Sequence, residues 1–229
     1  MMGKKNKRVA FSEALVMGCV GVWHCFAGTM EVRFPEYTRA ETLTDFPAVV
    51  VLNENTGGFS YDGFLSPNGY DLRFSNATET VALDYEIEAW DTNGTSYVWV
   101  RVPEFTSNCM IRAYWGNPAA TEQPASCTNG SVWTSPYKGV WHLSPSLADS
   151  TTYANNGYHP TNATLDVEGP LGRARQTGIG RNIRMSGASA HLALTNTFTY
   201  SFWSKASYPT AGGGYIYQFN ATGGGGQIG

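Results

Sequence analysis

Apolar and polar residues alternate along residues 84–103, on both sides of a short polar segment that is typical of a turn. This alternation predicts a β-hairpin. One face of the hairpin carries aliphatic side chains and a tyrosine, at Tyr85, Ile87, Ala89, Val98, Val100 and Val102. The other face carries aromatic and charged side chains, at Glu86, Glu88, Trp90, Tyr97, Trp99 and Arg101. Because the aliphatic face belongs in the core, the sequence predicts an outer face rich in rings and carboxylates.

The pairing of the two predicted strands follows from the same pattern, since residues directly opposite each other lie on one face of a sheet. The expected register closes a four-residue loop at residues 92–95. It places Glu88 opposite Trp99 and Glu86 opposite Arg101. This register decides which side chains share the outer surface.

Other short apolar or alternating stretches predict further strands. In the first part of the chain they are residues 30–34, 47–52, 71–74, 80–85 and 109–115. The polar stretch at residues 119–136, which contains Pro124 and Gly130, is typical of a linker. The sequence therefore predicts a first β-sandwich domain at residues 28–118.

A second unit is predicted at residues 137–229. Its strands are expected at residues 182–185, 190–194, 198–204 and 215–219. A sandwich needs two sheets that cover each other, and the roughly 90 residues of this unit leave several last strands missing. The sequence thus predicts an all-β chain of two jelly-roll-like β-sandwich modules, the second incomplete, and we expect a fragment or a truncated gene product.

The N-terminus is typical of a secretory signal peptide. Four basic residues among the first eight precede a mostly apolar stretch at residues 14–23, and small residues favour cleavage after Ala27. A signal helix is therefore predicted at residues 1–27, ahead of the two modules. Residues 16–19 also resemble a lipobox, so lipoprotein processing at Cys19 is an alternative. Both interpretations predict a secreted, periplasmic or cell-surface protein, and no later segment has the length of apolar sequence that spans a bilayer.

The charge of the chain narrows the choice of partners. Only 14% of the residues are charged, well below the roughly 25% usual in soluble domains. Cleavage after Ala27 would remove four of the 15 basic residues and one of the 18 acidic residues, so the mature chain is acidic. This charge argues against nucleic acid and anionic membranes as partners.

The cysteines agree with export. Cys19 and Cys25 would leave with the signal peptide, so Cys109 and Cys127 remain. An even pair in an exported chain indicates a disulfide, and two free thiols are the alternative. No CxxC spacing or histidine cluster points to zinc, so no metal site is assigned.

Four sequence pieces in the first unit occur in the order and spacing of a known family. They are residues 71–74, 85–90, 97–103 and 113–118. On these pieces, residues 30–118 resemble the bacterial domain-of-unknown-function family 2341. That family has no established activity, so the resemblance implies a fold and not a reaction.

A second set of pieces lies in the later unit. They are residues 139–143, 149–150, 156–157, 172–174 and 198–203. On these pieces, residues 137–229 resemble part of a laminin-G-like, concanavalin A-like jelly roll. The resemblance implies a module of the kind that occurs with the first domain in large exported bacterial proteins. Such modules commonly bind sugars or proteins. It also implies that calcium is a possible ligand of the second domain, without residues assigned to it, and no other cofactor is expected.

The outer face of the hairpin is the candidate binding surface. Aromatic rings can stack on sugar rings, and flanking charged groups can bond the sugar hydroxyls. The candidate ligand-binding residues are Trp90, Tyr97, Trp99, Tyr114, Glu86, Glu88, Arg101 and Arg112. Exposed aromatic patches usually mark an interface. The alternatives are that this face packs on the second unit or on a loop, or that it binds another protein.

An enzymatic interpretation depends on the acids of the same segment. Glu86, Glu88 and Asp91 have the spacing of acids in some concanavalin A-like glycosidases, and alternate strand residues lie about 6.6 Å apart. The order of the acids differs from the glycosidase pattern. The expected partner Arg101 would also disfavour the protonated form that a general acid needs. The sequence therefore predicts no catalytic residues.

Together these patterns predict an exported, non-catalytic surface protein that binds polysaccharide or protein ligands, as an adhesion or recognition module. The alternative is a structural spacer domain of a larger surface protein. A glycoside hydrolase is the third and weakest interpretation. Burial of Trp99 and Tyr97 against residues after 137 would favour the spacer.

Overall fold

The structure is a computed structural model. It describes residues 26–120, 122–134, 136–178, 180–185, 197–205, 217–218 and 227–228. The described residues are all-β, with twelve strands and two short 3₁₀ turns, which confirms the predicted fold class. None of them belongs to a helix with the length and hydropathy needed to cross a bilayer. The predicted signal helix up to residue 25, Cys19 and the predicted strand at 190–194 lie outside the described residues.

Six strands build the first part of the chain. They are β1 (Gly28–Arg33), β2 (Leu43–Leu52), β3 (Arg73–Asn76), β4 (Tyr85–Ala89), β5 (Ser96–Phe105) and β6 (Met110–Trp115). They form two antiparallel three-stranded sheets, ordered β1-β6-β3 and β2-β5-β4. The hydrophobic core contains residues from both sheets, so this part of the chain is a β-sandwich.

The inner face of the second sheet is the one that the alternation predicts. Tyr85 is 1% exposed, Val98 and Val100 are fully buried, and Val102 is 3% exposed. Full burial of one such side chain contributes about 1.5–3 kcal/mol to folding. The predicted inward direction is therefore confirmed for these four residues. Ala89, which was also predicted to point inward, lies opposite Tyr97 and close to Gly172 on the outer face, the face that also carries Glu86 and Trp99.

The hairpin register differs from the prediction by two residues. Glu86 lies opposite Trp99, where Arg101 was expected, and a register shift follows between Ile87 and Ala89. The shift is a β-bulge, which adds one residue to β4 without a partner on β5. An extra residue turns every later side chain to the other face of the sheet. The ring of Trp90 consequently packs on the core instead of pointing outward.

The chain beyond β6 adds small paired elements. They are β7 (Gly157–Tyr158), β8 (Leu165–Gly169), β9 (Gly172–Gln176) and β10 (Arg184–Met185). β8 and β9 form a hairpin, and β7 pairs with β10. All these elements belong to one compact unit, Met1–Ser186.

The second compact unit is Gly187–Gly229. Its described strands, β11 (Tyr217–Gln218) and β12 (Gln227–Ile228), pair with each other in antiparallel fashion. Residues 197–205 contain no strand, so the strand predicted at 198–204 is wrong. Trp203 in this segment is 81% exposed.

Candidate functional site

The outer face of β4 and β5 is covered by the chain that follows the sandwich. We call the described residues between 125 and 156 the strap. Trp133 of the strap packs edge-on against Trp99, with ring centroids 5.2 Å apart. The ring of His142 lies 6.3 Å from that of Trp99 and 5.7 Å from that of Trp133. The aromatic face is therefore an internal interface of the first unit.

Glu86 is bonded from two separate points of the strap. Its Oε2 accepts a hydrogen bond of 2.6 Å from Nε1 of Trp133, and its Oε1 accepts one of 2.7 Å from Oγ of Ser150. The Glu86 side chain is 14% exposed. Hydrogen bonds to an ionised acceptor are stronger than neutral ones, so these two bonds help to hold the strap on β4.

Glu88 and His142 form the centre of the interface. The Glu88 side chain is only 6% exposed, and its Oε2 accepts a bond of 2.7 Å from Nε1 of Trp99. The same oxygen contacts Nδ1 of His142, while Nε2 of His142 lies 3.4 Å from Oε1 of Glu86. Both ring nitrogens thus face carboxylates.

These carboxylates determine the charge of the histidine. Burial alone lowers the pKa of His142, but the carboxylates of Glu86 and Glu88 outweigh burial and raise the pKa from 6.5 to about 9. His142 is therefore a cation at neutral pH. One buried cation between two buried anions is a stabilised arrangement only while all three remain together.

The strap has little regular structure and is shaped by one buried carboxylate. Asp149 is 7% exposed. It accepts backbone N–H bonds from Val140, Thr151 and Asn155, each 2.9 Å long. Gly130 has a φ of +80°, and a Cβ there would lie 2.7 Å from the backbone nitrogen of Thr152. These contacts give the strap a fixed path across the sheet.

The β8–β9 hairpin contacts both the strap and β4. Nε of Arg175 donates to the carbonyl of Leu143 at 2.5 Å, and its Nη2 donates to the carbonyl of Pro145 at 2.6 Å. At Gly172, with a φ of +90°, a Cβ would lie 2.8 Å from the Cβ of Ala89. The glycine therefore allows β9 to approach the outer face of β4.

Two aromatic residues of the predicted binding surface lie elsewhere. Trp90 packs against Tyr61 and Phe64, with ring centroids 5.4 Å and 5.0 Å away. Tyr114 is 3% exposed on β6 of the other sheet, with its hydroxyl 3.2 Å from Oγ of Ser75. The expected shared surface is therefore wrong for these two. Tyr97 is half-buried on β5.

The two predicted arginines are also separate from Glu86 and Glu88. Nη2 of Arg101 donates to Oδ2 of Asp84 at 2.6 Å, so the expected pair of Arg101 with Glu86 is wrong. The two-residue difference in register is the reason. Arg112 lies on β6 and pairs with Glu31 of β1 at 3.2 Å. Only Glu86, Glu88 and Trp99 of the predicted residues meet at one place.

The disulfide expected between Cys109 and Cys127 is not formed, and both cysteines are free thiols. Cys127 is 6% exposed and packs in the core beside Tyr85, where burial raises the pKa of the thiol to about 11. Cys109 belongs to the turn between β5 and β6, where its N–H bonds to the carbonyl of Thr106 at 3.0 Å. The strap brings Cys127 onto β4 and not onto this turn.

Other chemistry is limited in the part of the chain that the structure describes. There, no group of three or more histidine, cysteine, aspartate or glutamate side chains is arranged to hold a metal ion. A groove of about 340 Å³ lies between β1 and β2, with Met30, Phe34 and Val51 in its lining. Its charged side chains Glu31 and Arg33 pair with each other at 2.9 Å. The buried cluster under the strap is the stronger candidate.

These features define an all-β sandwich module whose outer sheet face is covered by a following strap. Residues 68–131 match the model of a family described as "Domain of unknown function (DUF2341)". No curated protein and no solved structure matches the chain. The matched residues contain β3 to β6 and the first residues of the strap, so the similarity to that family covers part of the first module.

Sequence reasoning missed three strap residues of the site: Trp133, His142 and Ser150. Trp133 stands in a polar stretch whose composition is typical of a linker. A tryptophan in such a stretch is itself a signal, because a large apolar ring in a true linker would be exposed to water. His142 follows Trp141 in a short apolar run, and no comparable signal in the sequence indicates its place in the site.

Proposed function

We propose that this chain is an exported, non-catalytic structural module of a larger surface protein. In this proposal the aromatic and acidic face is a joint between the sandwich and the chain that follows. The main support for the proposal is that the ring of Trp99 packs against Trp133 and His142 of the strap. Export is supported by the signal-like first 27 residues.

Ligand binding at this face would disrupt contacts that are already made. A sugar ring stacked on Trp99 would have to displace the ring of Trp133. Displacement of the strap would also remove the donors that Glu86 receives from Trp133 and Ser150. Leaving a buried carboxylate without donors costs several kcal/mol unless water replaces them. These contacts favour a structural role for the face.

A catalytic role for the same acids has the same difficulty. The side chains of Glu86 and Glu88 are 14% and 6% exposed. A glycosidase needs two carboxyl groups open to the substrate, with room for water on one side of the sugar ring. The proposal therefore assigns Glu86 and Glu88 to the joint.

A second candidate function is binding of glycan or protein ligands by the second unit. Four aromatic residues in residues 197–205 are exposed: Phe198, Tyr200, Phe202 and Trp203. Aromatic rings on a surface favour interfaces of this kind. This observation supports recognition at a place other than the face that the sequence indicated.

A glycan array with the full chain tests both candidates. We expect Trp99→Ala to bind the same glycans as the wild type. Signal that disappears in Trp203→Ala but persists in Trp99→Ala would support the second candidate. Glycan signal that disappears only in Trp99→Ala would contradict the proposal that this face is a structural joint. N-terminal sequencing of the exported protein tests export, with a start at residue 28 expected.

A further inference from the structure

His142 is the only histidine of the strap, and it lies among groups of opposite charge. The strap faces β4 with this ring, and β4 presents Glu86 and Glu88 to it. β5 adds the uncharged ring of Trp99 to the same cluster. The imidazole is therefore enclosed by two carboxylates and by aromatic rings.

Other titratable groups near the interface have partners of their own. Arg101 on β5 bonds to Asp84 at 2.6 Å. Lys138 of the strap donates to the hydroxyl of Tyr153 at 3.2 Å. The carboxylate of Asp149 is bonded by strap backbone groups, and the Cys127 thiol lies in the core near Tyr85. Within the interface, Glu88 thus accepts a hydrogen bond from the indole of Trp99 and contacts the ring of His142.

The two carboxylates beside the ring favour its protonated form. A neutral imidazole has one N–H donor and one bare lone pair, whereas an imidazolium has two donors. Nδ1 contacts Oε2 of Glu88, and Nε2 lies 3.4 Å from Oε1 of Glu86. Loss of the proton would turn a lone pair towards a carboxylate. It would also leave two buried anions without a cation, which is strongly unfavourable.

We propose that the proton on His142 holds the strap on the sheet, and that its loss releases the strap while the sandwich stays folded. The strap contributes Cys127 to the sandwich core, whereas the other buried residues of that core precede the strap and include Val98 and Val100 on the opposite face of β5. Release would expose Trp99, Glu86 and Glu88 together. The raised pKa of His142, about 9, sets the pH range in which release occurs. This switch goes beyond the structural role proposed above.

The first test is a pH titration of the full chain with ¹⁵N-labelled histidine. At pH 7.5 we expect both ring nitrogens of His142 to show the shifts of an imidazolium, and the ring to titrate near pH 9. The near-ultraviolet circular dichroism of the Trp99–Trp133 pair, assigned by difference from Trp133→Phe, is expected to disappear in the same step. The far-ultraviolet signal of the sheets is expected to persist.

Three results would overturn the proposal. One is a neutral His142 at pH 7.5. Another is a Trp99–Trp133 signal that survives the titration of His142. The third is loss of the sheet signal in the same step, because global unfolding is not strap release.

Variants separate His142 from the other groups that titrate above pH 8. Glu88→Gln removes one carboxylate, so the transition should move at least one pH unit lower. His142→Gln should abolish the transition near pH 9, and His159→Gln, the matched histidine control, should leave it unchanged. An unchanged transition in His142→Gln would contradict the proposal. If that variant does not fold, the wild-type titration decides alone.

Discussion

Trp133 of the strap packs edge-on against Trp99 of β5, with ring centroids 5.2 Å apart. Each indole N–H donates to a different glutamate of β4, Trp133 to Glu86 and Trp99 to Glu88. An aromatic pair in this arrangement contributes about 0.5–1.5 kcal/mol beyond its burial. Packing and charged hydrogen bonds therefore act on the same two rings, and they join the strap to the sandwich.

Replacement of Trp133 tests the energy of this joint. Trp133 is 6% exposed, so Trp133→Ala should lower the free energy of unfolding by about 3–5 kcal/mol. Urea denaturation of the full chain measures the difference. The control is Trp203→Ala, since Trp203 is 81% exposed and should change stability by about 0.5 kcal/mol or less. Equal effects of the two substitutions would show that the strap does not bury Trp133.

The stability of the protein should fall as the pH rises above neutral. The pKa of His142 is raised from 6.5 to about 9 in the folded protein, so the folded state binds this proton more tightly than the unfolded state. The resulting stabilisation is fully present below pH 6.5 and is lost as the pH rises through 9. It amounts to about 3 kcal/mol.

Denaturation of the wild type and of His142→Gln between pH 6 and pH 9.5 measures this effect. The wild type should lose stability across the range, and the variant should show a flatter profile. Parallel profiles would mean that His142 does not carry the pH dependence.

Asp71 should be essential to the first module, for a reason unrelated to the strap. It is 1% exposed and accepts backbone N–H bonds from Leu65, Ser66 and Gly116 at 2.9–3.0 Å. Asp71→Asn replaces one acceptor oxygen by an NH₂ group that faces N–H donors, so stability should fall by about 2 kcal/mol or more. Asp62→Asn, at an exposed position, is the control for the same chemical change. A loss confined to the control would contradict this role.

The cysteines should react as free thiols. After unfolding without a reducing agent, alkylation followed by peptide mass spectrometry should find Cys109 and Cys127 both modified. In the folded protein Cys127 should react more slowly, because it is buried and its pKa is raised to about 11. A peptide pair linked through these two cysteines would show that the disulfide forms after all.

Part of the fold was predictable because it depends on local patterns. The alternation of Val98, Val100 and Val102 with polar residues reports directly which face of β5 is buried. The bulge in β4 leaves no comparable trace, since one extra residue changes the register without changing composition. It moves Trp90 into the core and accounts for one of the two residues by which the register at Glu86 differs from the prediction.

Only the hairpin residues of the candidate site were predictable, and the strap residues were not. Glu86, Glu88 and Trp99 follow from the alternation within the hairpin. Trp133 and Ser150 bond to Glu86 across 47 and 64 residues of chain. Contacts at such separations have no period in the sequence, and they depend on the path of a strap without regular strands. The sequence could indicate that the outer face of the hairpin is an interface, but not that the strap covers it.

The most direct test of the covered face is a nuclear Overhauser measurement on the full chain with labelled tryptophan at pH 7. The ring protons of Trp133 should show cross-peaks to those of Trp99, whose centroid is 5.2 Å away. The indole N–H protons of both residues should also exchange slowly, because each is bonded to a glutamate. Missing cross-peaks together with fast exchange of the Trp99 indole proton would show an open face and would contradict the joint.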